Sequence, residues 1–267
     1  MKKDQPAKTG NSHIKSVERA ILLLEALAQE DTEMSLSQLS QKLGWPKSTV
    51  HGLLATLRDY HYVDQSMENS SYRLGTRLFE LGNRVARSWV IKDAARPVML
   101  RLVREFGETV QLGTEDDGEI LYLDKLVANS VVSIMSEVGV RLPMHCSGLG
   151  KVLLAQKSPA QLKRIIARKG LPAMTKRTIT TQAKLEKELD KVRENGYAID
   201  DGEIMDGLRC VAVPIWDGTG KVRYALSISG QARNIYGDRL EHIIDGLRQA
   251  AEEISYAMGS RRNEYQC

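Results

Sequence analysis

Residues 34–75 constrain the fold of this chain more than any other stretch. Two short helical patterns are separated by a tight turn, and a hairpin pattern follows them. Ser35 and Gln38 have the spacing of a capping box, which starts a helix, and Gly44 stands where helices commonly end in a left-handed residue. Pro46 suits the first turn of the next helix, because no N–H is needed there. This order predicts a winged helix-turn-helix, a module that places one helix in the major groove of DNA.

The second of these helices has one apolar face and one polar face. The apolar stripe has the i, i+3, i+4, i+7 spacing of a buried face and consists of Val50, Leu53, Leu54 and Leu57. The other face is small, polar or basic, so it offers donors and acceptors to bases and phosphates without bulk. The residues predicted to contact DNA, including the start of the first helix and the wing, are Lys15, Ser16, Lys47, Ser48, Thr49, His51, Gly52, Arg58 and Arg73. An ordinary three-helix unit that is polar on one face is the alternative.

Residues 14–29 predict the first helix, with Ser16 as its cap. Lys15 and Ser16 would lie at its N-terminus, where backbone N–H groups can meet a phosphate. The residues predicted to face inward are Val17, Ala20, Ile21, Leu24, Leu27 and Ala28.

The positive charge of the N-terminal part is local. Residues 1–75 carry nine basic and nine acidic residues, whereas residues 34–58 carry Lys42, Lys47 and Arg58 and no acid. A neutral unit binds DNA weakly by itself. We therefore expect it to act as a dimer on a two-fold symmetric site.

The 267 residues are enough for two domains. We place a winged helix-turn-helix domain at 14–75, an amphipathic linker helix at 76–90 and a second domain at 91–260. The second domain mixes short β-type runs with flanking helices, which predicts an α+β fold with an antiparallel sheet. The polar segments 1–13 and 261–267 are expected to be a disordered arm and a tail.

The cysteines and the hydropathy indicate a cytoplasmic protein. The three cysteines are odd in number and widely spaced, so they fit neither a disulfide framework nor a zinc site. No apolar run is long enough to span a membrane, and the polar N-terminus is not a secretory signal. We expect neither a metal nor another cofactor, and no membrane contact.

Two neighbouring strand patterns place small residues on one face. Residues 222–229 alternate so that Ser227 and Ser229 point the same way, and Cys210 and Ala212 share a face of the preceding strand. If these residues face a cavity, they line it with small donors that suit an organic acid. Small residues can equally stand there to let a helix pack closely, and the sequence leaves both readings open.

Catalytic motifs are weak. The segment SGLGKV at 147–152 is not a phosphate loop, because His145 and Val152 stand where that pattern needs Gly and Ser or Thr. Cys210 and His145 raise the idea of a thiol nucleophile, but nothing in their spacing brings them together. We expect no enzyme activity. The rival from another class is an enzyme or small-acid-binding protein whose N-terminal helices only dimerise.

Six motifs follow one another in the chain, namely SVERAILLLEAL, LSQLSQKLGWPKSTVHGLLATL, YRLG, LPMHCSGLGKVLLA, DDGEIMDGLRCVAVPIWDGTG and ALSISG. Together they resemble the IclR family of bacterial transcriptional regulators. The resemblance implies a winged helix-turn-helix that binds operator DNA, a linker helix and a GAF-like effector-binding domain, assembled as a homodimer or homotetramer. The implied function is control of a catabolic operon, with repression expected and activation as the alternative.

The same resemblance implies an effector site for small carboxylates, sugar acids or aromatic acids. By motif position its polar residues are Asp200, Cys210, Ser227 and Ser229. The backbone of Gly148 and Leu149 would receive the carboxylate, and the apolar walls would be Val131, Ile134, Leu142 and Leu208.

Overall fold

Short helices and a β-hairpin form the first of two compact units into which the chain divides, Met1–Ser88 and Trp89–Cys267. The computed structural model describes residues 14–30, 32–87, 90–128 and 137–260. The elements of the first unit are α1 (Lys15–Ala28), α2 (Leu36–Leu43), α3 (Lys47–Asp59), β1 (Val63–Gln65), β2 (Tyr72–Leu74) and α4 (Thr76–Arg87).

The helix-turn-helix and its wing are confirmed. The Ser35 hydroxyl accepts the Gln38 N–H at 3.3 Å, and the Gln38 side chain accepts the Ser35 N–H at 2.8 Å, which completes the capping box. Gly44 ends α2 with a φ of 68°. Pro46 is the residue before α3 rather than part of its first turn, because its ψ of 140° is extended. Strand β1 pairs antiparallel with β2, with Val63 opposite Leu74.

Two predictions about α1 are wrong. Leu23, Ala26 and Leu27 are buried, whereas Val17 and Ile21 are about half exposed, at 53% and 51%. The helix carries apolar residues on more than one face, and its partners in the unit pack against the C-terminal half only. Ser16 is not the cap, because it lies inside the first helical turn, and no side chain caps this helix.

Helices cover both faces of an antiparallel sheet in the second unit, which confirms the α+β prediction. The helices are α5 (Val90–Phe106), α6 (Gly148–Leu154), α7 (Pro159–Lys169), α8 (Gln182–Asn195) and α9 (Gly237–Ala257). The strands are β3 (Thr109–Asp116), β4 (Glu119–Leu126), β5 (Arg141–Pro143), β6 (Ala198–Asp201), β7 (Leu208–Trp216) and β8 (Val222–Gln231). Within the described residues the sheet order is β5-β4-β3-β8-β7-β6.

The two faces of this sheet differ in the size of their side chains. The face toward α5 and α9 carries large residues such as Val211 and Ile228. The face toward α6 carries small ones, with Ala212 of β7 opposite Ser227 of β8. The small face therefore leaves room between the sheet and α6.

Some sequence predictions fall outside the described ranges. These are the arm at 1–13, the tail at 261–267, a strand at 131–135 and the wall residues Val131 and Ile134. Among the helices that the structure describes, none is long and apolar enough to cross a membrane.

Candidate functional site

A cavity lies between the small face of the sheet and the start of α6. The cavity is narrow in this structure: about 20 Å³ is open to the centre of a water molecule, which is room for about one water. Every predicted effector residue that the structure describes lines it, namely Leu142, Gly148, Leu149, Asp200, Leu208, Cys210, Ser227 and Ser229. Sequence reasoning missed the other lining residues, which are Gln111, Tyr122, Ser147, Ile204 and Met205.

Gln111 organises the polar end of this cavity. It lies on β3 opposite Ser227, and it is almost completely buried. Its Oε1 accepts hydrogen bonds from the hydroxyls of Ser227 at 3.2 Å and Ser229 at 2.8 Å. Cys210 of β7 lies opposite Ser229 of β8. Neighbouring strands thus bring small polar groups from three separate segments to one place.

The first residues of α6 and its cap, Ser147, Gly148 and Leu149, line the cavity. The Ser147 hydroxyl accepts the Gly150 N–H at 3.1 Å and caps the helix. Gly148 and Leu149 begin the helix, where N–H groups lack acceptors within the helix. A Cβ on Gly148 would lie 3.2 Å from the Ala212 Cβ, so glycine allows this close approach to the sheet. Helix starts of this kind favour an anion.

A buried lysine stands behind the cavity. Lys151 of α6 has no exposed surface, and its Nζ donates to Glu203 at 2.5 Å, to the Ile199 carbonyl at 2.5 Å and to Glu188 at 3.1 Å. Burial by itself lowers the pKa of Lys151, but the carboxylates of Glu203 and Glu188 outweigh it, so this pKa is raised and the ammonium stays charged.

Asp200 contributes a carboxyl group to the cavity wall. It is fully buried, and one of its oxygens accepts the Glu203 N–H at 2.7 Å. The other oxygen is buried without a hydrogen-bond partner among the described residues. Burial raises the pKa of Asp200 to about 7, and the negative charge of Glu203 acts in the same direction. Burial also raises the pKa of Glu203, although Lys151 opposes the shift.

The structure does not bring together Cys210 and His145, the pair considered from the sequence as a thiol nucleophile and its base. Burial raises the pKa of Cys210 well above its ordinary value, so the thiol stays protonated and is a poor nucleophile. His145 lines a different cavity, beside α7. Its Nε2 contacts the Pro172 carbonyl at 3.0 Å, and burial lowers its pKa. Cys210 and His145 therefore line separate cavities.

The predicted DNA-reading face of α3 points away from the core. Lys47, Ser48, His51 and Gly52 are exposed and Thr49 is half-buried, while Val50 and Leu54 are buried. Lys15 and Ser16 are exposed at the start of α1.

The two arginines near the wing have partners within the unit. Arg58 donates to Gln65 of β1 at 2.7 Å, and Arg73 of β2 donates to Glu33 at 3.1 Å. Both arginines are exposed, so these contacts hold them at the surface beside the hairpin.

Comparisons with known proteins cover both units. The family described as "Bacterial transcriptional regulator IclR C-terminal" matches residues 83–256, and "IclR helix-turn-helix domain" matches residues 16–66. The chain is 36% identical over 246 residues to the HTH-type transcriptional regulator XynR of Escherichia coli K12, covering 92% of this chain and 98% of XynR. It is 34% identical over 251 residues to the transcriptional repressor IclR of the same strain, covering 93% and 92%.

A solved structure extends the similarity to a ligand-bound protein. An IclR homolog from Microbacterium hydrocarbonoxydans, crystallised in complex with 4-hydroxybenzoate, matches with a TM-score of 0.82 at 28% identity. The match covers 91% of this chain and 98% of that one.

Proposed function

Because the chain belongs to the IclR family of bacterial transcriptional regulators, we propose that it represses a catabolic operon and that a small carboxylate controls its binding to the operator. The observation that carries this proposal is the cavity at α6, which the first residues of this helix line together with small polar side chains. The E. coli relative IclR is named a transcriptional repressor, and the Microbacterium homolog was crystallised with 4-hydroxybenzoate, an aromatic acid. A regulator of an operon works in the bacterial cytoplasm, which is where we place it.

The effector carboxylate would bind the N–H groups of Gly148 and Leu149. The hydroxyls of Ser227 and Ser229 would contact its polar atoms, and Leu142 and Leu208 would form apolar walls. Cys210 and Asp200 would complete the polar end. Val131 and Ile134 lie outside the described residues, so their part in the walls rests on the family resemblance.

Operator contacts would come from α3 and the wing. Lys47, Ser48, Thr49, His51 and Gly52 would face base edges and phosphates in the major groove. Arg58 and Arg73 would reach phosphates from beside the hairpin, with Arg73 exchanging its contact with Glu33 for one with DNA. Lys15 and Ser16 would meet a phosphate at the start of α1.

A second copy of the chain would cover the exposed stripe on α1. The stripe consists of Ile14, Val17, Ile21 and Leu22, which are between 41% and 69% exposed. An apolar patch of this kind on the reading unit favours self-association. Two copies would present two reading helices to a two-fold symmetric operator, either as a homodimer or as half of a homotetramer.

Effector control requires two states of the assembly. The effector must bind more tightly to the state whose reading helices do not fit the operator, since equal binding to both states shifts nothing.

The DNA assignment can be tested by fluorescence anisotropy with the DNA upstream of the neighbouring operon. Replacing both Lys47 and Thr49 by Ala should weaken operator binding at least tenfold and reduce the slope of log affinity against log salt by about one per lost phosphate contact. Lys163→Ala, which removes an exposed charge from α7, is the matched control and should bind as the wild type does. An unchanged double variant would refute the reading-helix assignment. A footprint upstream of the promoter, rather than over it, would indicate an activator.

The pocket assignment can be tested by a thermal-shift screen of small acids, since a ligand of the folded state raises the melting temperature. The double variant Asp200→Ala, Ser227→Ala should lose the response to any acid that stabilises the wild type and should keep DNA binding without effector. Asp201→Ala is the matched control, because Asp201 pairs with Arg177 and Arg209 and does not line the cavity. An intact response in the double variant would contradict the proposed pocket.

A further inference from the structure

We propose that this pocket takes up one proton together with its carboxylate effector and that Asp200 holds this proton, so that the regulator responds to effector and pH jointly. The inference rests on the proposed function, since it concerns the same cavity. It adds a regulation of that site and a preference about the effector's chemistry.

The placement of Asp200 provides the first argument. It lies on β6 opposite Cys210 of β7, lines the cavity and has no surface exposed to bulk water. One oxygen is occupied by the Glu203 N–H at 2.7 Å. The second oxygen is buried and has no hydrogen-bond partner among the described residues. The Ile204 N–H and the Cys210 thiol also stabilise the ionised carboxylate, but they offset its burial only in part. A protonated carboxyl can donate to a ligand.

The charges around Asp200 provide the second argument. Among the described groups that face it, the cation is Lys151 of α6, and this ammonium already serves Glu203 at 2.5 Å and Glu188 of α8 at 3.1 Å. The cluster therefore contains three carboxyl groups for one ammonium. Glu203 and Glu188 form direct ion pairs with this ammonium, whereas Asp200 receives only part of its opposing charge.

The other titratable groups facing Asp200 supply no positive charge. They are Tyr122 of β4, Cys146 of the turn before α6, and Cys210 of β7. Burial raises the pKa of all of them, to about 12 for Cys146, so they are neutral at physiological pH. Burial likewise brings the pKa of Asp200 to about 7 in the ligand-free pocket.

An anionic effector in the same cavity raises the pKa of Asp200 further, because two carboxylates in one desolvated space cannot both stay ionised. On binding, solvent supplies one proton to the ionised carboxylate of Asp200, and the resulting O–H donates to an oxygen of the effector. No other bond forms or breaks. The pocket therefore favours acids that present an acceptor oxygen, such as a keto group, toward Asp200.

The coupling predicts how affinity changes with pH. Below about pH 6 Asp200 is already protonated, and the dissociation constant is nearly flat. Above pH 7 the dissociation constant rises by about tenfold per unit, so binding is about tenfold weaker at pH 8 than at pH 6.

Isothermal titration calorimetry of the full-length protein tests this coupling. The ligands are 2-oxobutanoate and 4-hydroxybenzoate, titrated at pH 6, 7 and 8 in two buffers of different ionisation enthalpy. The expected proton uptake is about half a proton per site at pH 7 and close to one at pH 8. Asp200→Asn places a permanent donor at this position and should bind with an affinity that varies less than about twofold with pH. Asp201→Asn, on the neighbouring residue, should behave as the wild type does.

The possible failures of this experiment are distinguishable. Binding without proton uptake, at an affinity independent of pH, overturns the coupling and leaves the proposed pocket intact. Failure of the wild type to bind either acid, or any acid of the thermal-shift screen, at any pH overturns the pocket and the coupling with it.

A measurement without ligand tests the proton on Asp200 separately. A carboxyl whose pKa is raised by folding contributes stability at low pH and loses it as pH rises from its unfolded value of 3.8 toward about 7. Between pH 5 and pH 8 this loss is about a hundredfold in the unfolding equilibrium constant of the wild type. Asp200→Asn should lack this component, so its advantage over the wild type should grow with pH. Parallel pH profiles for the two proteins would overturn the inference.

Discussion

Replacing Lys151 by Met would leave the carboxylates behind the cavity without their cation. The methionine chain fills a similar volume but donates nothing to Glu203, Glu188 or the Ile199 carbonyl. Removing one partner of a buried ion pair costs about 3–5 kcal/mol, because the remaining charge is buried and unpaired. Lys151 is completely buried, so we expect a cost in this range at pH 8.

Most of this cost should come from Glu203. Its side chain is about 10% exposed, whereas that of Glu188 is 24% exposed and can turn toward water. Burial already raises the pKa of Glu203, and loss of Lys151 removes the charge that opposes this shift. A proton can therefore neutralise the carboxyl of the variant more readily at pH 5 than at pH 8. We expect the destabilisation to shrink as pH falls.

The assay is urea unfolding followed by circular dichroism at pH 5 and pH 8, supported by thermal melts. A cost of 3–5 kcal/mol corresponds to a fall of about 10 °C in the melting temperature of a domain of this size. Lys157→Met is the matched control, since Lys157 pairs with Glu115 at 2.7 Å while both side chains remain about one quarter exposed. It should cost below about 1 kcal/mol.

A compensating change sharpens the result. The double variant Lys151→Met, Glu203→Leu removes both charges of the closest pair and should recover most of the lost stability. The reasoning would be refuted if Lys151→Met cost no more than Lys157→Met, or if its cost were the same at both pH values.

Three further predictions concern other parts of the chain. Gly150→Ala should lower the melting temperature far more than Gly148→Ala. A Cβ at 150 would lie 2.3 Å from a backbone oxygen, whereas one at 148 would lie 3.2 Å from a side-chain carbon. Equal melting temperatures of the two variants would contradict this. Ser35→Ala should cost about 1 kcal/mol in chemical denaturation through loss of the α2 capping box, and Ser35→Thr should restore most of it. Ile21→Glu should shift sedimentation toward the monomer with helix content unchanged, and an unaltered sedimentation profile would exclude the α1 stripe as the dimer contact.

Local signals explain why the helix-turn-helix could be predicted from the sequence. The capping box of Ser35 and Gln38 and the left-handed Gly44 act within a few residues of where they stand, so no tertiary information is needed. The buried face of α1 could not be predicted from local signals alone. Apolar residues lie on more than one side of this helix, and the packing of α2, α3 and the hairpin decides which side is buried.

The polar cavity was predictable along single strands but not between them. Alternation along β7 and β8 places Cys210, Ser227 and Ser229 on one face, as the structure has them. Gln111 was missed because its place beside the two serines depends on pairing between β3 and β8, more than 100 residues apart. The sequence does not predict the buried ion pairs of Lys151, because its partners Glu188 and Glu203 follow 37 and 52 residues later.

The small residues on β7 and β8 were explained from the sequence either by a ligand cavity or by close packing of a helix. In the structure the two explanations hold together. Ala212 lies directly beneath Gly148, so its small side chain lets α6 approach the sheet. The next residue on the same face of β7 is Cys210, which already lines the cavity together with Ser229. Only a closely packed α6 can bring the N–H groups at its start within reach of a ligand held by these side chains. Close packing of the start of α6 on Ala212 therefore helps to form the polar site beside Cys210. The small residues serve both packing and ligand binding, so the two explanations are compatible.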